Sequence, residues 1–345
     1  MTLICFILIL GVIVLIHEFG HFFFAKRSGI YVYEFSIGMG PRIYKWTRKN
    51  DETEYSIRLI PIGGYVQMAG EEVDDDKNIP KNKKFFVKTF GQKFMTVIAG
   101  IMNNFLLAII LLFLLALFNG APQNKSIVGE IDRSMPAYTA GLKKNDKIIS
   151  LNGKKIYSND VLALELQVNS GKEIVLGVER NGKTYDINIK PVIKKEGGVP
   201  VYRYGFAIND EVKKGFFASI IYAFSKTISL LHQMILTIYY LATGAIGFKS
   251  FSGPVGIYNI VGQARQSGFW SLVSLTTLLS INVGFINLLP LPAFDGGRLL
   301  FIIIEKLSGK KVDPKLENTI HSVGFFLLMA LMLLITYNDI IRLIK

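Results

Sequence analysis

Apolar blocks alternate with polar stretches along the 345 residues of this chain. Four of the blocks reach the ~20 residues that a helix needs to cross the hydrocarbon core of a bilayer. We therefore expect an α-helical polytopic membrane protein with about four transmembrane helices. The predicted spans are 1–25, 94–118, 270–305 (of which 270–292 is the apolar part) and 318–343.

Two of the intervening stretches predict folded structure outside these helices. Residues 26–93 contain strand-like pieces, and LIPIGGYV within them is apolar and turn-prone. Such a piece is more typical of a hairpin that dips into protein or membrane than of a solvated loop. In 124–200 a helix-like segment, DVLALELQV, precedes two alternating stretches that flank an Asn-Gly turn. This second pattern predicts a small α+β domain inserted between spans.

Residues 201–268 are harder to assign. Within 215–247 the apolar pattern is interrupted by Lys226, His232 and several hydroxyl side chains. Both a membrane span and an amphipathic helix at the membrane surface fit this pattern, and we favour the interfacial helix. A connection broken by glycine and proline follows at 250–268.

Composition agrees with a membrane protein. Half of the residues are hydrophobic (50%) and the formal net charge is +13. A basic excess can indicate nucleic-acid binding, but in a membrane protein it more often reflects cytoplasmic loops and anionic lipid headgroups. We therefore expect the lipid bilayer as a partner and no nucleic acid. The first apolar block lacks a basic leader and a small-residue cleavage site, so we expect a retained helix.

The distribution of basic residues predicts the orientation. The loop 26–93 carries thirteen Lys or Arg residues, and the connection 298–315 carries five. With four spans, these two connections lie on the same side of the membrane, and the positive-inside rule places them in the cytoplasm. The inserted domain then lies outside the cytoplasm.

The first span contains the sequence HEFGH. His17 and His21 lie four residues apart and share a face of a helix, so both imidazoles can bind one Zn²⁺. Glu18 lies beside them, where it can take a proton from a metal-activated water and deliver it to the leaving amine. A buried histidine pair beside a neutralised glutamate is the alternative. The chain has only four histidines, and two of them lie in this predicted membrane span, which favours the metal site.

A catalytic zinc needs a third protein ligand and an open position. His232 and His321 are candidates by residue type, but such histidines are more often satisfied polar residues. Asp295, in NLLPLPAFDGGRLL, is the better candidate. A carboxylate at the end of a proline-broken membrane span is costly, so its presence indicates a functional role. On local sequence alone, Asp-Gly-Gly could instead be a simple turn. The single cysteine, Cys5, excludes a cysteine-based zinc site.

HEFGH, NLLPLPAFDGG and the inserted domain together resemble the site-2 proteases over essentially the whole chain. The most similar group is that of bacterial regulatory intramembrane zinc metalloproteases, which cleave anti-sigma factors and signal-peptide remnants. The resemblance implies one Zn²⁺ held by His17, His21 and Asp295, with Glu18 as the catalytic acid/base. It also implies cleavage of transmembrane segments of membrane protein substrates in the bacterial cell membrane, near its cytoplasmic side.

Other family features concern the substrate. Gly63 and Gly64 lie in a segment similar to the family's membrane-reentrant β-hairpin, which is thought to present the substrate as an extended strand. Asn282 and Asn287 match family asparagines that handle substrate near the metal. AGIMNNFLLA resembles a Gly-Pro-x-x-Asn-Phe pattern that aligns Asn104, with isoleucine in place of the proline. A helix-to-helix hydrogen bond without a functional role remains the alternative for Asn104 and its neighbour Asn103.

The inserted domain resembles a bacterial PDZ domain. SMPAYTAGLKKNDKIISLNGKKI is similar to the pattern P-A-x-x-A-G-L-x-x-G-D-x-I, with Asn145 in place of a glycine. The resemblance implies an extracytoplasmic domain that either captures peptide termini by strand addition or excludes substrates with large extracellular parts. We favour the size filter.

Two other classes of function compete with a protease. A catalytically inactive membrane scaffold could capture peptides through the PDZ-like domain, but the intact Glu18 and the third-ligand candidate argue against it. A transporter also keeps charged residues at membrane depth, yet it normally shows repeated halves. No such repeat is visible in this sequence.

Overall fold

The computed structural model describes residues 1–71, 78–196, 199–209, 211–247 and 253–344. They form two compact units. The first, here called the membrane unit, consists of Met1–Leu111 and Phe251–Lys345. The second, here called the α+β unit, is Leu112–Ser250.

The helices and strands follow the chain in a simple order. The described helices are α1 (Thr2–Arg27), α2 (Phe90–Asn119), α3 (Pro136–Thr139), α4 (Asn159–Val168), α5 (Phe216–Ala242), α6 (Pro254–Gln266), α7 (Phe269–Leu288), α8 (Asp295–Ser308) and α9 (Pro314–Ile344). The strands are β1 (Val32–Thr47), β2 (Glu54–Met68), β3 (Ala121–Pro122), β4 (Val128–Ile131), β5 (Lys147–Leu151), β6 (Lys154–Lys155), β7 (Ile174–Arg180), β8 (Lys183–Ile189), β9 (Val192–Glu196), β10 (Val199–Arg203), β11 (Phe206–Ile208) and β12 (Val212–Lys213).

Four helices are long and apolar enough to cross a membrane. Among the described residues these are α1, α2, α7 and the Pro314–Ile341 part of α9. The prediction of a polytopic protein with about four spans is therefore confirmed. Helix α5 is not one of the four, and its predicted position at the membrane surface stays a prediction.

The segment 270–305, assigned from sequence as the third span with the Asp295 motif, contains two helices. Helix α7 ends at Leu288, and α8 begins at Asp295. The proline-containing loop between them explains the break, since proline lacks the N–H that an α-helix needs in its interior. Asp295 thus occupies the first turn of a new helix, where a carboxylate is favoured by the helix dipole.

The strands β1 and β2 form a hairpin that folds back on itself. Gly38 has φ +90° and Gly63 has φ +86°, and at these positions β1 and β2 respectively change direction. The first half of β1 therefore pairs with both ends of the antiparallel β2, so that Phe35 lies opposite both Tyr55 and Val66. This hairpin occupies the segment in which the sequence predicts a hairpin.

A buried carboxylate holds the hairpin together. Glu34 is 5% exposed, and it accepts hydrogen bonds from Ser56, from Tyr65 (2.7 Å) and from Arg58 (2.8 Å). Burial alone would raise the pKa of Glu34, but these hydrogen bonds hold the pKa below its ordinary value. Glu34 is thus an ionised group whose partners lie on both ends of β2.

The hairpin runs alongside α1. A Cβ atom added to Gly11 would lie 3.1 Å from the carbonyl oxygen of Pro61, and one added to Gly64 would lie 3.8 Å from Cγ of Glu18. The seven residues from Gly11 to Glu18 cover about 10 Å of helix. Pro61 and Gly64 are three residues apart on β2, with the bend at Gly63 between them. This part of β2 therefore follows the face of α1 that carries Glu18.

The α+β unit has its own core around a four-stranded sheet in the order β6-β5-β7-β8. Strands β7 and β8 are joined by the predicted Asn-Gly turn, with φ +51° at Asn181 and +75° at Gly182. Asn145 has φ +70°, the left-handed conformation that asparagine tolerates better than most residues. The hydrophobic core includes Ile148, Leu151, Leu162, Ile174 and Leu176. Whether this unit acts as a PDZ domain stays a prediction.

Candidate metal centre

Three predicted ligand residues converge in the membrane unit. His17 and His21 lie one turn apart on α1, and their Nε2 atoms are 3.1 Å from each other. The Oδ2 atom of Asp295 lies 3.0 Å from Nε2 of His17 and 3.3 Å from Nε2 of His21. The two elements that carry these residues, α1 and α8, are separated by more than 260 positions in sequence. Within the described parts of the chain, this is the group that could hold a metal ion.

The arrangement fits a tetrahedral zinc ion. Ligand nitrogens and oxygens bind Zn²⁺ at about 2.0–2.2 Å, so two of them at a tetrahedral angle lie about 3.3 Å apart. The three separations in the cluster, 3.0, 3.1 and 3.3 Å, are close to this value. Moreover, the buried Oδ2 of Asp295 has no hydrogen-bond partner among the described residues. Three ligand atoms grouped at these distances, one of them a carboxylate oxygen without a hydrogen-bond partner, fit a bound cation.

A backbone carbonyl orients His21. Its Nδ1 atom donates a hydrogen bond to the carbonyl oxygen of Thr96 on α2, at 2.9 Å. Because Nδ1 then carries the proton, the lone pair of Nε2 is free to face Asp295. The contact depends on two glycines: a Cβ at Gly20 would lie 2.4 Å from the Ala99 carbonyl oxygen, and one at Gly100 would lie 2.3 Å from His21 Nε2.

Asn104 on α2 contacts the other histidine. Its Nδ2 atom lies 3.2 Å from Nδ1 of His17, and its side chain is fully buried. The Oδ1 atom of Asn104 has no hydrogen-bond partner among the described residues. Helix α7 packs against α2 at Asn104. The hydroxyl group of Ser280 donates a hydrogen bond to the backbone carbonyl of Asn104 at 2.8 Å, and a Cβ added to Gly284 would lie 3.3 Å from the Asn104 Cβ.

Asn103, the neighbour of Asn104, contacts helix α1. Its Nδ2 donates to the carbonyl oxygen of Ile16 on α1, at 3.0 Å. The bond joins α1 and α2 next to the histidine pair but does not involve the histidines. Asn103 is therefore a helix-to-helix contact, whereas Asn104 is a direct neighbour of the cluster.

Ion pairs connect α8 to its surroundings. Arg298, one turn after Asp295, forms an ion pair with Glu71 at the end of the hairpin segment and lies 3.7 Å from Glu317 on α9. Further along α8, Glu305 is paired with Lys93 of α2. Three other parts of the membrane unit thus hold the helix that begins with Asp295.

The carboxylate of Glu18 lies beside the cluster but outside it. Glu18 follows His17 directly on α1 and is half-buried. Its Cγ atom is next to Gly64 of β2, where an added Cβ would also lie 2.5 Å from the carbonyl oxygen of Ser36. Neighbouring Gly63 forms the adjacent bend, against Met39. A side chain larger than hydrogen at position 64 would displace the strand that carries Ser36.

Similarity to known proteins agrees with this geometry. A family model described as peptidase family M50 matches residues 5–331. The chain belongs to peptidase family M50. It is 34% identical to zinc metalloprotease RasP of Oceanobacillus iheyensis, with 99% of both chains covered. It is also 32% identical to the regulator of sigma-W protease RasP of Bacillus subtilis, again with 99% of both covered, and 33% identical to a putative zinc metalloprotease of Staphylococcus aureus, with 99% and 98% covered.

Membership of the M50 family, which comprises the site-2 proteases, confirms several predictions. The chain is a zinc metalloprotease and a multi-pass membrane protein, and its cofactor is Zn²⁺.

The other candidates from the sequence lie elsewhere. Asn282 and Asn287 are half-buried on α7, and within the described residues neither is hydrogen-bonded to the three clustered residues. His232 lies on α5 in the α+β unit, where its ring contacts Tyr157. His321 lies on α9, where it contacts the loop before Asp295. The role of either asparagine toward substrate stays a prediction.

Three residues that support the site, Thr96, Gly20 and Gly100, are not among the residues predicted from the sequence. Thr96 acts through its backbone carbonyl, which every residue has, and the two glycines act only because α1 and α2 approach each other there. The four-residue spacing of Gly100 and Asn104 is the one available signal, since small and polar residues mark close helix contacts in membranes.

Proposed function

We propose that this M50 protease cleaves peptide bonds in or near transmembrane segments of other membrane proteins, with Glu18 as its general acid/base. The observation that carries the proposal is the convergence of His17, His21 and Asp295, with Glu18 on the same helix turn. The Bacillus subtilis relative is called a regulator of sigma-W protease, which supports anti-sigma factors as a substrate class; signal-peptide remnants are proposed on the resemblance to the site-2 proteases alone.

His17, His21 and Asp295 would hold the zinc ion. When bound, zinc lowers the pKa of a coordinated water and polarises the scissile carbonyl. Glu18 takes the proton of the attacking water as the water oxygen bonds to the peptide carbon. When the carbon–nitrogen bond breaks, Glu18 returns that proton to the leaving nitrogen. Glu18 is half-buried and is not one of the three residues whose ligand atoms converge.

Asn104 fixes the proton on His17. A histidine that binds zinc through Nε2 carries its proton on Nδ1 and must donate it to an acceptor. A half-turn of the Asn104 amide places its unpartnered Oδ1 against His17 Nδ1, where it accepts that proton. We take this rotated amide as the state of the metal-bound site. It would replace the substrate-handling role expected for Asn104.

The hairpin presents the substrate. A helical peptide bond is shielded by its own hydrogen bonds, so a transmembrane substrate must unwind before it can be attacked. An extended segment can add to the edge of β2, where its backbone would be held by main-chain hydrogen bonds. Gly64 lies next to Cγ of Glu18, so a strand paired with this part of β2 would pass close to the proposed acid/base.

The hairpin reaches membrane depth. Pro61 contacts α1 at Gly11, about 24 Å of helix axis from the Arg27 end. Apolar side chains at the same end of the hairpin, such as Ile43, Leu59 and Ile60, are exposed in the protein alone, as expected for residues that face lipid. These features support a membrane-reentrant hairpin.

The orientation follows from charge. Lys26 and Arg27 end the first span, and the basic loop after them would lie in the cytoplasm. The active site is then near the cytoplasmic side, and the α+β unit is extracytoplasmic. In that position the unit, as a PDZ-like domain, would exclude substrates whose outer parts have not yet been trimmed.

Replacement of Glu18 by glutamine tests the mechanism. In proteoliposomes that contain the purified protease and a reporter with an anti-sigma-type transmembrane segment, Glu18→Gln should lower the cleavage rate by about 10²- to 10⁴-fold. Zinc content should stay at the parent level, because Glu18 is not a ligand. Glu173→Gln, an exposed carboxylate of the α+β unit, is the matched control and should cleave at the parent rate. Cleavage by Glu18→Gln at the parent rate would refute the assignment.

A further inference from the structure

The loop that leads to Asp295 contains a strained backbone. Ala293, two residues before Asp295, has φ +76°. Residues with a Cβ atom rarely adopt this left-handed conformation, because Cβ approaches the backbone oxygen. The other non-glycine positions with positive φ in the described chain are all asparagines, which tolerate it better. Something outside the loop must therefore stabilise Ala293 in this conformation.

Helix α9 supplies that support. The N–H of Ala293 donates a hydrogen bond to Nδ1 of His321, at 3.2 Å. Gly324, one turn further along α9, lies under the preceding residue, since a Cβ there would be 2.2 Å from Cβ of Pro292. From the other side, a Cβ at Gly297 of α8 would lie 3.3 Å from Cε1 of His321. The imidazole thus fills the space between the loop, α8 and α9.

The same contact excludes His321 as a zinc ligand. Its Nδ1 lone pair accepts the Ala293 N–H, so the neutral imidazole carries its proton on Nε2. Neither nitrogen then offers a lone pair to a metal. His321 is also not one of the three residues whose ligand atoms converge.

We propose that His321 is a positioning residue for the metal centre: by accepting the Ala293 N–H, it holds Ala293 in the left-handed conformation and so keeps the Asp295 carboxylate at His17 and His21. The inference rests on the ligand set proposed above. Helix α9, the last membrane helix, contributes none of the three ligands, but through His321 it takes part in zinc binding.

Four variants test the proposal by zinc affinity, measured by chelator competition on detergent-purified protein. His321→Leu removes the acceptor and should weaken zinc binding by about tenfold or more. His321→Asn keeps an acceptor, Oδ1, near the position of Nδ1 and should bind zinc almost as the parent does. Glycine adopts a positive φ without support. Adding Ala293→Gly to His321→Leu should therefore restore most of the zinc affinity. His232→Leu, a histidine outside the loop, is the control and should match the parent.

The outcomes separate this inference from the function. Parent-level zinc affinity in folded His321→Leu would overturn it while leaving the ligand assignment intact. Equal loss in His321→Leu, His321→Asn and the double variant would also overturn it, because loss of ring packing would then be the cause. If the parent protein itself bound no zinc, or if Asp295→Asn bound it normally, the proposed site would fail instead. Rescue by Ala293→Gly is the result that a merely structural role for His321 does not give.

Discussion

The chemistry of the two histidines depends on which ring nitrogen carries the proton. Thr96 determines this for His21, because a carbonyl oxygen can only accept and Nδ1 must therefore donate. An amide side chain can do either, so the orientation of the Asn104 amide decides the tautomer of His17. Zinc binding through Nε2 requires the donor form of Nδ1. The unpartnered Oδ1 of Asn104 is the atom that can accept that proton.

Two substitutions of Asn104 distinguish its orientations. Asn104→Asp provides only acceptors and should retain zinc affinity if Oδ1 faces His17. Asn104→Leu provides none and should lower zinc affinity by about 10- to 100-fold. Asn103→Leu, which removes the neighbouring bond to Ile16 without touching a histidine, is the matched control in the same chelator competition. Loss of zinc by Asn104→Asp equal to that of Asn104→Leu would show that Nδ2, not Oδ1, faces the ring.

Sequence reasoning located most of the cluster because its chemistry is local. His17, Glu18 and His21 share one helix turn, and Asp295 is conspicuous as a carboxylate after a proline-broken span. The sequence also singles out Asn104, but it predicts a contact with substrate and not the contact with His17. Its contact with His17 depends on how α1 and α2 pack, and no spacing within one segment encodes that.

The elements that frame the site meet at unusually short distances. Helices α1 and α2 touch where Gly20 faces the Ala99 carbonyl and where Gly100 faces His21. In membranes, small residues are what allow two helix backbones to approach closely, because lipid offers no hydrophobic drive for association. The close approach brings the Thr96 carbonyl within reach of His21. The glycine inside HEFGH is therefore part of the support of the metal centre.

Gly20→Ala should loosen this contact. The added methyl group would meet the Ala99 carbonyl at 2.4 Å, so α2 must shift. Such overpacking costs about 1–3 kcal/mol of stability, and the shift should lengthen the bond from His21 to Thr96 and weaken zinc binding. Thermal unfolding and zinc affinity in detergent measure both effects. Gly91→Ala, near the start of α2 with nothing within 4 Å of its added Cβ, is the control and should change neither. Unchanged zinc affinity in Gly20→Ala would contradict this role of the contact.

Whether a helix can be predicted from the sequence depends on the environment that surrounds it. Long apolar runs can satisfy their backbone in a bilayer only as helices, so α1, α2, α7 and α9 were predictable as spans. Helix α8 begins with Asp-Gly-Gly and has a polar side, so the sequence predicted the end of the third span and a connection there, not a separate helix. Helix α8 is held in place by tertiary ion pairs, which join Arg298 to Glu71 and Glu305 to Lys93. Those partners are far apart in sequence.

At the scale of the whole molecule, the proposed ligands belong to one of the two units. His17, His21 and Asp295 all lie in the membrane unit, whereas the α+β unit has its own core. A ligand stabilises what it binds: at a zinc concentration about 100 times the dissociation constant, binding adds about 2.7 kcal/mol to the folded state. That energy should protect the membrane unit and leave the α+β unit unaffected.

Hydrogen exchange with and without a chelator tests this expectation. Zinc removal should speed exchange in the second half of α1 and the first turn of α8, by up to about 100-fold for amides that exchange by unfolding of the unit. Amides of β5 and β7 should keep their rates, since they lie in the core of the α+β unit. In Asp295→Asn, adding or removing zinc should change neither set. Equal loss of protection in β5 and β7 would mean that the units unfold together, and unchanged exchange in α1 would place the zinc outside the histidine pair.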